Sequence, residues 1–426
     1  MSKPLPVPTM ANAARKPKSF AGFLLKAILA IFLCAVAGLA GILALLKLEH
    51  NSETLLPVPS GHFSVGRVSY AWLNAAQSED LAPAAETKRE VVAWIWYPSA
   101  NPASAPRAEY LPAAWRVAEA QYSGVLMTQF FTRDLSLVRA HSAANPAVSP
   151  ERQSYPVVIM RAGSGALTTD YTTLAEDLAS HGYIVVGFDA PYRTCVVVLP
   201  NNRVIFRPPA NDPETLNPER QNRLIEKLLP MWTNDTKFVV SQLERLNAAD
   251  SSDRFTGRLD LGRLGIFGHS FGGATALQFC HEDARCRAGI DLDGAPYGSV
   301  VREGVAQPFL FLLSDHGAAS AAEDRAVMSA LGSIYDRLPN GRLFISIRGA
   351  NHFSFSDQML LKSHLVIGLL RTFGIGALEA QRGFAINSTY IHTFFDVYLK
   401  GEPTTALTAL PQKYHEVQLL GPRQME

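Results

Sequence analysis

The sequence predicts an α/β fold: a mostly parallel sheet flanked by helices, with an N-terminal transmembrane helix. Three observations carry this. From about residue 66 onward, short apolar runs of strand length alternate with stretches of helical spacing. One of those runs passes through a Gly-x-Ser-x-Gly turn straight into a helical stretch. Near the N-terminus, residues 27–46 (AILAIFLCAVAGLAGILALL) form an uncharged run of helical composition.

Composition removes several classes. The chain has 426 residues, with 39 Lys+Arg against 38 Asp+Glu, so the net charge of +1 leaves no electrostatic footprint for nucleic acid. With 47% hydrophobic and 18% charged residues, a mainly disordered chain is excluded. The four cysteines show no C-x2-C pair and the eleven histidines no H-E-x-x-H, so no metal site is expected.

The elements follow in chain order. Residues 1–19 hold prolines and no apolar period, and are expected to be a cytoplasmic tail. Residues 20–47 are expected to be a signal-anchor helix, since the apolar run inside them rises ~30 Å, the thickness of a bilayer core. Lys3, Arg15, Lys16, Lys18 and Lys26 precede that run, whereas Lys47 with Glu49 and Glu53 follow it. The charge bias places the N-terminus in the cytoplasm and the rest on the extracytoplasmic, periplasmic side of the cell membrane. Secretion after signal cleavage is the alternative. Residues 48–65 are a linker with turn formers, and 66–426 are expected to be one α/β domain.

Within that domain strands are expected at 90–97, 155–160, 183–188, 264–268, 288–292, 308–313 and 343–347. Helical spacing covers 169–181 and 214–247, the latter with a break at Pro230. Ile391, Phe394, Phe395, Tyr398 and Leu399 mark the buried face of a last helix. Insertions near 100–153 and 191–213 interrupt the alternation. The first carries Tyr110, Leu111, Trp115, Leu126, Met127, Phe130 and Phe131, which fit either a substrate wall or an extra helix packed on the core.

Chemistry concentrates at Leu264-Gly-Ile-Phe-Gly-His-Ser270-Phe-Gly-Gly-Ala. Strand, Gly268-x-Ser270-x-Gly272 and helix together make a nucleophile elbow: the glycines permit a crowded turn that lifts the serine hydroxyl off the sheet. A base should come late in the chain, after the final strand, and His352 lies there, 82 residues beyond Ser270. His269 sits inside the elbow and points elsewhere, His392 and His415 lie in or after the last helix, and His316 comes early in the order. For the orienting acid, Asp293 and Asp315 stand 23 and 45 residues after Ser270, each at a strand's carboxyl end, and spacing does not separate them. Asp291 should point to the other side of its strand. One oxyanion donor should be the backbone N–H of Phe271.

The runs GHSFGGAT, Gly289-Ile-Asp-Leu-Asp293-Gly and Gly349-Ala-Asn-His352 resemble the plasma-type platelet-activating-factor acetylhydrolases, a branch of the α/β-hydrolase fold superfamily. The similarity runs from about Glu90 to about Lys400 and includes Leu178-Ala-Ser-His-Gly-Tyr183. It implies a serine carboxylic ester hydrolase acting on short or oxidised acyl esters, including phospholipids, through a Ser270–His352–Asp293 triad. It also maps the second oxyanion N–H onto Ser164. Bacterial polyester- and dienelactone-type hydrolases place the acid like Asp315, and the tail from His392 to Gly401 is similar to that of dienelactone hydrolases. Ala162 departs from the acetylhydrolases, which tend to carry His before Gly163; that bears on substrate match and not on the triad. An ester or lipid substrate and the membrane are the expected partners, with no nucleic acid and no cofactor. Cys280 and Cys286 leave open a short-loop disulfide or two buried thiols, with Cys195 unpaired.

Overall fold

The computed structural model describes residues 20–100, 105–315, 322–339, 341–372 and 377–421. The expected tail 1–19 and His316 lie outside them. The chain divides into two units, Met1–Glu49 and His50–Glu426. The first holds all but the last residue of helix α1 (Phe20–His50), which is long and apolar enough to cross a membrane.

The second unit is built on a sheet that has ten strands among the described residues. In chain order these are β1 (Ser64–Ser78), β2 (Lys88–Ser99), β3 (Ala143–Ala144), β4 (Tyr155–Arg161), β5 (Ile184–Asp189), β6 (Leu259–His269), β7 (Cys286–Leu292), β8 (Phe309–Leu313), β9 (Arg342–Ile347) and β10 (Val417–Leu419). Their spatial order is β10-β9-β8-β7-β6-β4-β5-β2-β1-β3. From β9 across to β5 every pairing is parallel; β2 joins β5 and β1 antiparallel, and β10 joins β9 antiparallel. Helix α2 (Ala113–Ser123) precedes the parallel run; parallel strands need crossovers, and α3 (Thr172–Ser180), α4 (Pro218–Ala248), α5 (Phe271–Glu282) and α6 (Ala322–Arg337) supply them, while α7 (His364–Thr372) and α8 (Ala380–Lys400) lie between β9 and β10.

Every residue of β4 and β5 is buried, as expected for strands covered on both faces. Side chains alternate between two cores. Val158 and Met160 join Leu174, Leu178, Phe394 and Phe395 of α3 and α8. Val157 and Ile159 join Val239, Leu243 and Leu277 of α4 and α5. The predicted strands are all present, with ends shifted by a few residues.

One expectation is overturned. Helix α4 runs without interruption through Pro230. Pro230 and Glu226, whose carbonyl the missing N–H would have met, are both exposed, so the unmatched carbonyl falls on the solvent side of the helix.

The first insertion divides its apolar residues. Tyr110, Leu111 and Trp115 are buried in the core, whereas Leu126 and Met127 are exposed. The second insertion contains the hairpin Val196–Val198 with Val204–Phe206.

Candidate active site

Three strand ends deliver the predicted residues. Ser270 follows β6 directly, Asp293 follows β7 and His352 lies five residues beyond β9. The elbow is sterically forced. A Cβ on Gly268 would run into the Gly272 carbonyl, and one on Gly272 into the carbonyls of Arg161 and Ala162. The backbone of Ser270 has φ 56° and ψ −122°, a region that costs an ordinary residue about 1–3 kcal/mol. The surroundings hold it there: Ser270 N–H donates to Leu292 O at 2.9 Å, and its carbonyl accepts from Gly273 and Ala274.

Asp293 also sits at positive φ, 54°, and its N–H donates to Leu312 O. Its Oδ2 lies 2.7 Å from His352 Nδ1, and its side chain is 1% exposed against 44% for the ring. Ser314 secures the carboxylate, its N–H donating to Oδ1 at 2.9 Å and its hydroxyl lying 2.9 Å from both oxygens. Asp315 does different work: its Oδ2 accepts from Gly349 N–H at 2.7 Å, which braces the turn that carries His352. The structure therefore brings Asp293 to the His352 ring. Among the described hydrogen bonds none joins Ser270 Oγ to that ring; such contacts often tighten only with substrate bound.

The comparisons with known proteins follow the same residues. The family profile of platelet-activating factor acetylhydrolase, isoform II, matches residues 48–194 and 232–401. The chain belongs to that family. It is 25% identical over 287 residues to a probable 1-alkyl-2-acetylglycerophosphocholine esterase of Arthroderma benhamiae, covering 63% of this chain and 67% of that one. It is 27% identical over 329 residues to a platelet-activating factor acetylhydrolase of Cavia porcellus, covering 72% and 69%. Among solved structures, a ferulic acid esterase from Streptomyces cinnamoneus superposes with a TM-score of 0.69 at 24% identity, over 87% of this chain and all of that one. The architecture is the α/β-hydrolase fold.

In this family member His269, next to the nucleophile position, ties the site's loops together. Its Nε2 is 2.8 Å from His352 O, and its Nδ1 is 2.7 Å from the Tyr171 hydroxyl. That hydroxyl also accepts from Gly163 N–H at 3.0 Å. Burial, reinforced by the neighbouring His352, lowers the His269 pKa to about 3 and keeps the ring neutral. A carbonyl can only accept, so Nε2 carries the hydrogen and the Tyr171 O–H donates to Nδ1. One unbroken chain of donors thus runs from the Gly163 turn through Tyr171 and His269 to the backbone of His352.

Ser164 N–H and Phe271 N–H, the predicted oxyanion donors, lie at the turn after β4 and at the first residue of α5. Neither donates to another described residue. The Ser164 hydroxyl accepts from Arg207 Nη1 at 3.1 Å, while Arg207 Nη2 donates to Asp212 at 2.6 Å and approaches Tyr122 Oη at 3.4 Å. Tyr122 stacks on Phe206. The two insertions therefore meet beside the Gly163–Gly165 turn.

Sequence reasoning did not find Tyr171, Ser314 or Arg207. Ser314 stands beside Asp315 at a strand end, a local signal. Tyr171 and Arg207 act on residues 98 and 43 positions away and carry no local signal. Cys280 and Cys286 are joined by a disulfide, with Cα atoms 5.1 Å apart; Cys195 is buried and free.

Proposed function

We propose that this chain hydrolyses short-acyl esters of glycerophosphocholine lipids by a serine double displacement, with Ser270 as nucleophile, His352 as base and Asp293 as the acid that orients it. The single observation carrying the reading is the 2.7 Å contact of His352 Nδ1 with the buried Asp293, on a loop whose His352 carbonyl is tied to His269, the residue before a serine held at positive φ. The names of the relatives supply the lipid class.

In this mechanism Ser270 Oγ attacks the ester carbonyl while His352 Nε2 takes its proton. Asp293 holds hydrogen on Nδ1 and stabilises the imidazolium. The N–H groups of Ser164 and Phe271 receive the developing oxyanion, each worth roughly 3–4 kcal/mol in a comparable site. The imidazolium then protonates the departing alcohol. Water, deprotonated by the same ring, releases the acid from Ser270.

The domain layout completes the proposal. Residues 1–19 are the cytoplasmic tail, α1 anchors the chain as a single span, residues 48–65 lead away from it, and 66–426 work outside the cytoplasm. Charge flanking the helix supports that orientation. The Cys280–Cys286 disulfide supports an oxidising compartment.

The test compares 2-acetyl with long-chain 2-acyl glycerophosphocholines, using wild type and Ser270→Ala. Wild type should favour the acetyl ester, and Ser270→Ala should lose about 10⁴-fold or more in kcat while staying folded. Hydrolysis at the wild-type rate by the variant would overturn the mechanism; equal turnover of p-nitrophenyl acetate and no turnover of either lipid would overturn the substrate class alone.

A further inference from the structure

A second cluster of polar side chains lies outside the Ser270 region. Asp177 on α3 and His181 just beyond its end stand four residues apart, so both lie on the same side of that helix. The flanking residue His181 caps the helix, and His392, from α8, meets them there. His392 Nδ1 is 3.1 Å from Asp177 Oδ2, and His181 Nε2 is 4.0 Å from the same oxygen. A fourth group arrives from the segment ahead of β1: Ser60 Oγ is 2.9 Å from His181 Nε2 and 2.8 Å from Asp177 Oδ1.

We propose that Asp177, His181 and His392 form a binding site for a divalent transition-metal ion of the zinc type, with Ser60 Oγ or a water in the fourth position. Three features carry this. First, the donor set suits the ion: two imidazole nitrogens and one carboxylate oxygen, all within 4.8 Å of one another. Bonds of ~2.0–2.1 Å in a tetrahedron put neighbouring ligand atoms about 3.3 Å apart. The 3.1 Å contact is already at that spacing, and the 4.0 Å contact needs to close by less than an ångström.

Second, the carboxylate is already oriented. Ser60 gives both its N–H, at 2.9 Å, and its hydroxyl to Asp177 Oδ1, which turns Oδ2 toward the histidines. Outer-shell bonds of this kind fix a ligand before the ion arrives. Third, charge and access fit. Lys400 is engaged by Asp396 Oδ1 at 2.7 Å and by the His181 carbonyl, so Asp177 leaves the cluster with one net negative charge. The side chains are shielded yet reachable, with exposures of 7%, 14% and 22% for Asp177, His392 and His181.

Coordination requires one rearrangement. The two imidazoles stack with centroids 3.8 Å apart and planes 20° apart, so their in-plane lone pairs run nearly parallel. Rotation about the Cβ–Cγ bonds fans the rings until both lone pairs converge. The hydrogen that His392 Nδ1 gives to Asp177 and the one that His181 Nε2 gives to Ser60 Oγ each pass through solvent to the other nitrogen of the same ring; no ring changes its charge and nothing is oxidised. An ion here clasps the Ser60 segment to α3 and α8. None of the ligands belongs to the Ser270 site, so the role is structural. Ligands drawn from positions as far apart as 60 and 392 also explain why motif spacing gave no sign of it.

The test uses the full chain in detergent micelles, stripped with EDTA and titrated with Zn²⁺ against a chromogenic chelator. Wild type should take up one ion per chain. His181→Asn and His392→Gln, which keep hydrogen-bonding groups, should each weaken uptake by at least about ten-fold, and the double variant should lose it, with ester turnover retained. No uptake by wild type, or full uptake by the double variant, overturns the site. Should the double variant lose turnover and so its fold, zinc K-edge absorption of the loaded wild type decides: a two-imidazole shell supports the site, and a shell without imidazole overturns it.

Discussion

His352 with Asp293 and His392 with Asp177 meet in the same way. In each pair a histidine Nδ1 faces an aspartate Oδ2, at 2.7 Å and 3.1 Å. In each, a serine gives its N–H and hydroxyl to the other carboxylate oxygen, Ser314 for Asp293 and Ser60 for Asp177. Their surroundings differ. His352 sits on a loop beyond a strand end, its ring 44% exposed, among the strand-end loops that also carry a serine at positive φ and two backbone N–H groups that donate to no described residue. His392 sits inside a helix, 14% exposed, with a second imidazole stacked on it. An oriented imidazole is thus not yet a base. The proposed nucleophile, held at positive φ, and the proposed oxyanion N–H groups suit the first pair to acyl transfer, and a second imidazole suits the other to a cation.

Substitution of the two acids should break the comparison most sharply. Asp293→Asn should leave the fold intact and lower kcat by about 10⁴-fold, because the amide favours the wrong imidazole tautomer. Asp177→Asn should change kcat by less than about three-fold, the usual result for a group remote from the chemistry. Steady-state kinetics on a p-nitrophenyl acetate substrate measure both. A comparable loss in Asp177→Asn would mean that the two pairs are not separate.

Next in size is the chain of donors through Tyr171. Tyr171→Phe removes the link between Gly163 N–H and His269, and should lower kcat by about 10- to 100-fold with little change in KM, since a small misplacement of the oxyanion turn is costly only in the transition state. His269→Gln can still reach the His352 carbonyl and should lose less. A rise in KM with kcat unchanged would show that Tyr171 serves binding and not positioning.

The smallest effect is on stability. His269 is held at a pKa of about 3 against 6.5 when free. Below pH 6.5 the unfolded chain takes up a proton that the folded ring refuses. Stability is therefore lost as pH falls from 6.5 toward 3, by roughly 1 kcal/mol per pH unit. Denaturant unfolding of wild type and His269→Gln from pH 7 down to pH 4 should show the two curves converging as the wild type loses this contribution. Parallel curves would show that the ring titrates in the fold as it does in the unfolded chain.

The elbow was fully legible because its cause is local: Gly268 and Gly272 are needed within two residues of Ser270, and strand and helix abut it in sequence. His352 was legible from chain order. The choice between Asp293 and Asp315 was not, because both end strands at similar depth. It turns on the positive φ of Asp293 and the donors of Ser314, neither of which spacing encodes. The resemblance to the acetylhydrolases pointed to Asp293, and the geometry brings that carboxylate to the ring. Pro230 misled because a proline removes one hydrogen bond wherever it falls, whereas the cost depends on whether the orphaned carbonyl faces water. Tyr171, Arg207 and the Asp177 cluster join residues tens to hundreds of positions apart, and only the closed fold puts them together.

The most direct measurement is the site of attack itself. The intact chain is treated with a fluorophosphonate, digested, and the adduct located by tandem mass spectrometry. Phosphonylation should fall on Ser270, and be slowed by about 10³-fold or more in His352→Gln, since the hydroxyl then has no base. An adduct on another residue, or labelling of Ser270 at the same rate without the His352 imidazole, would contradict the account.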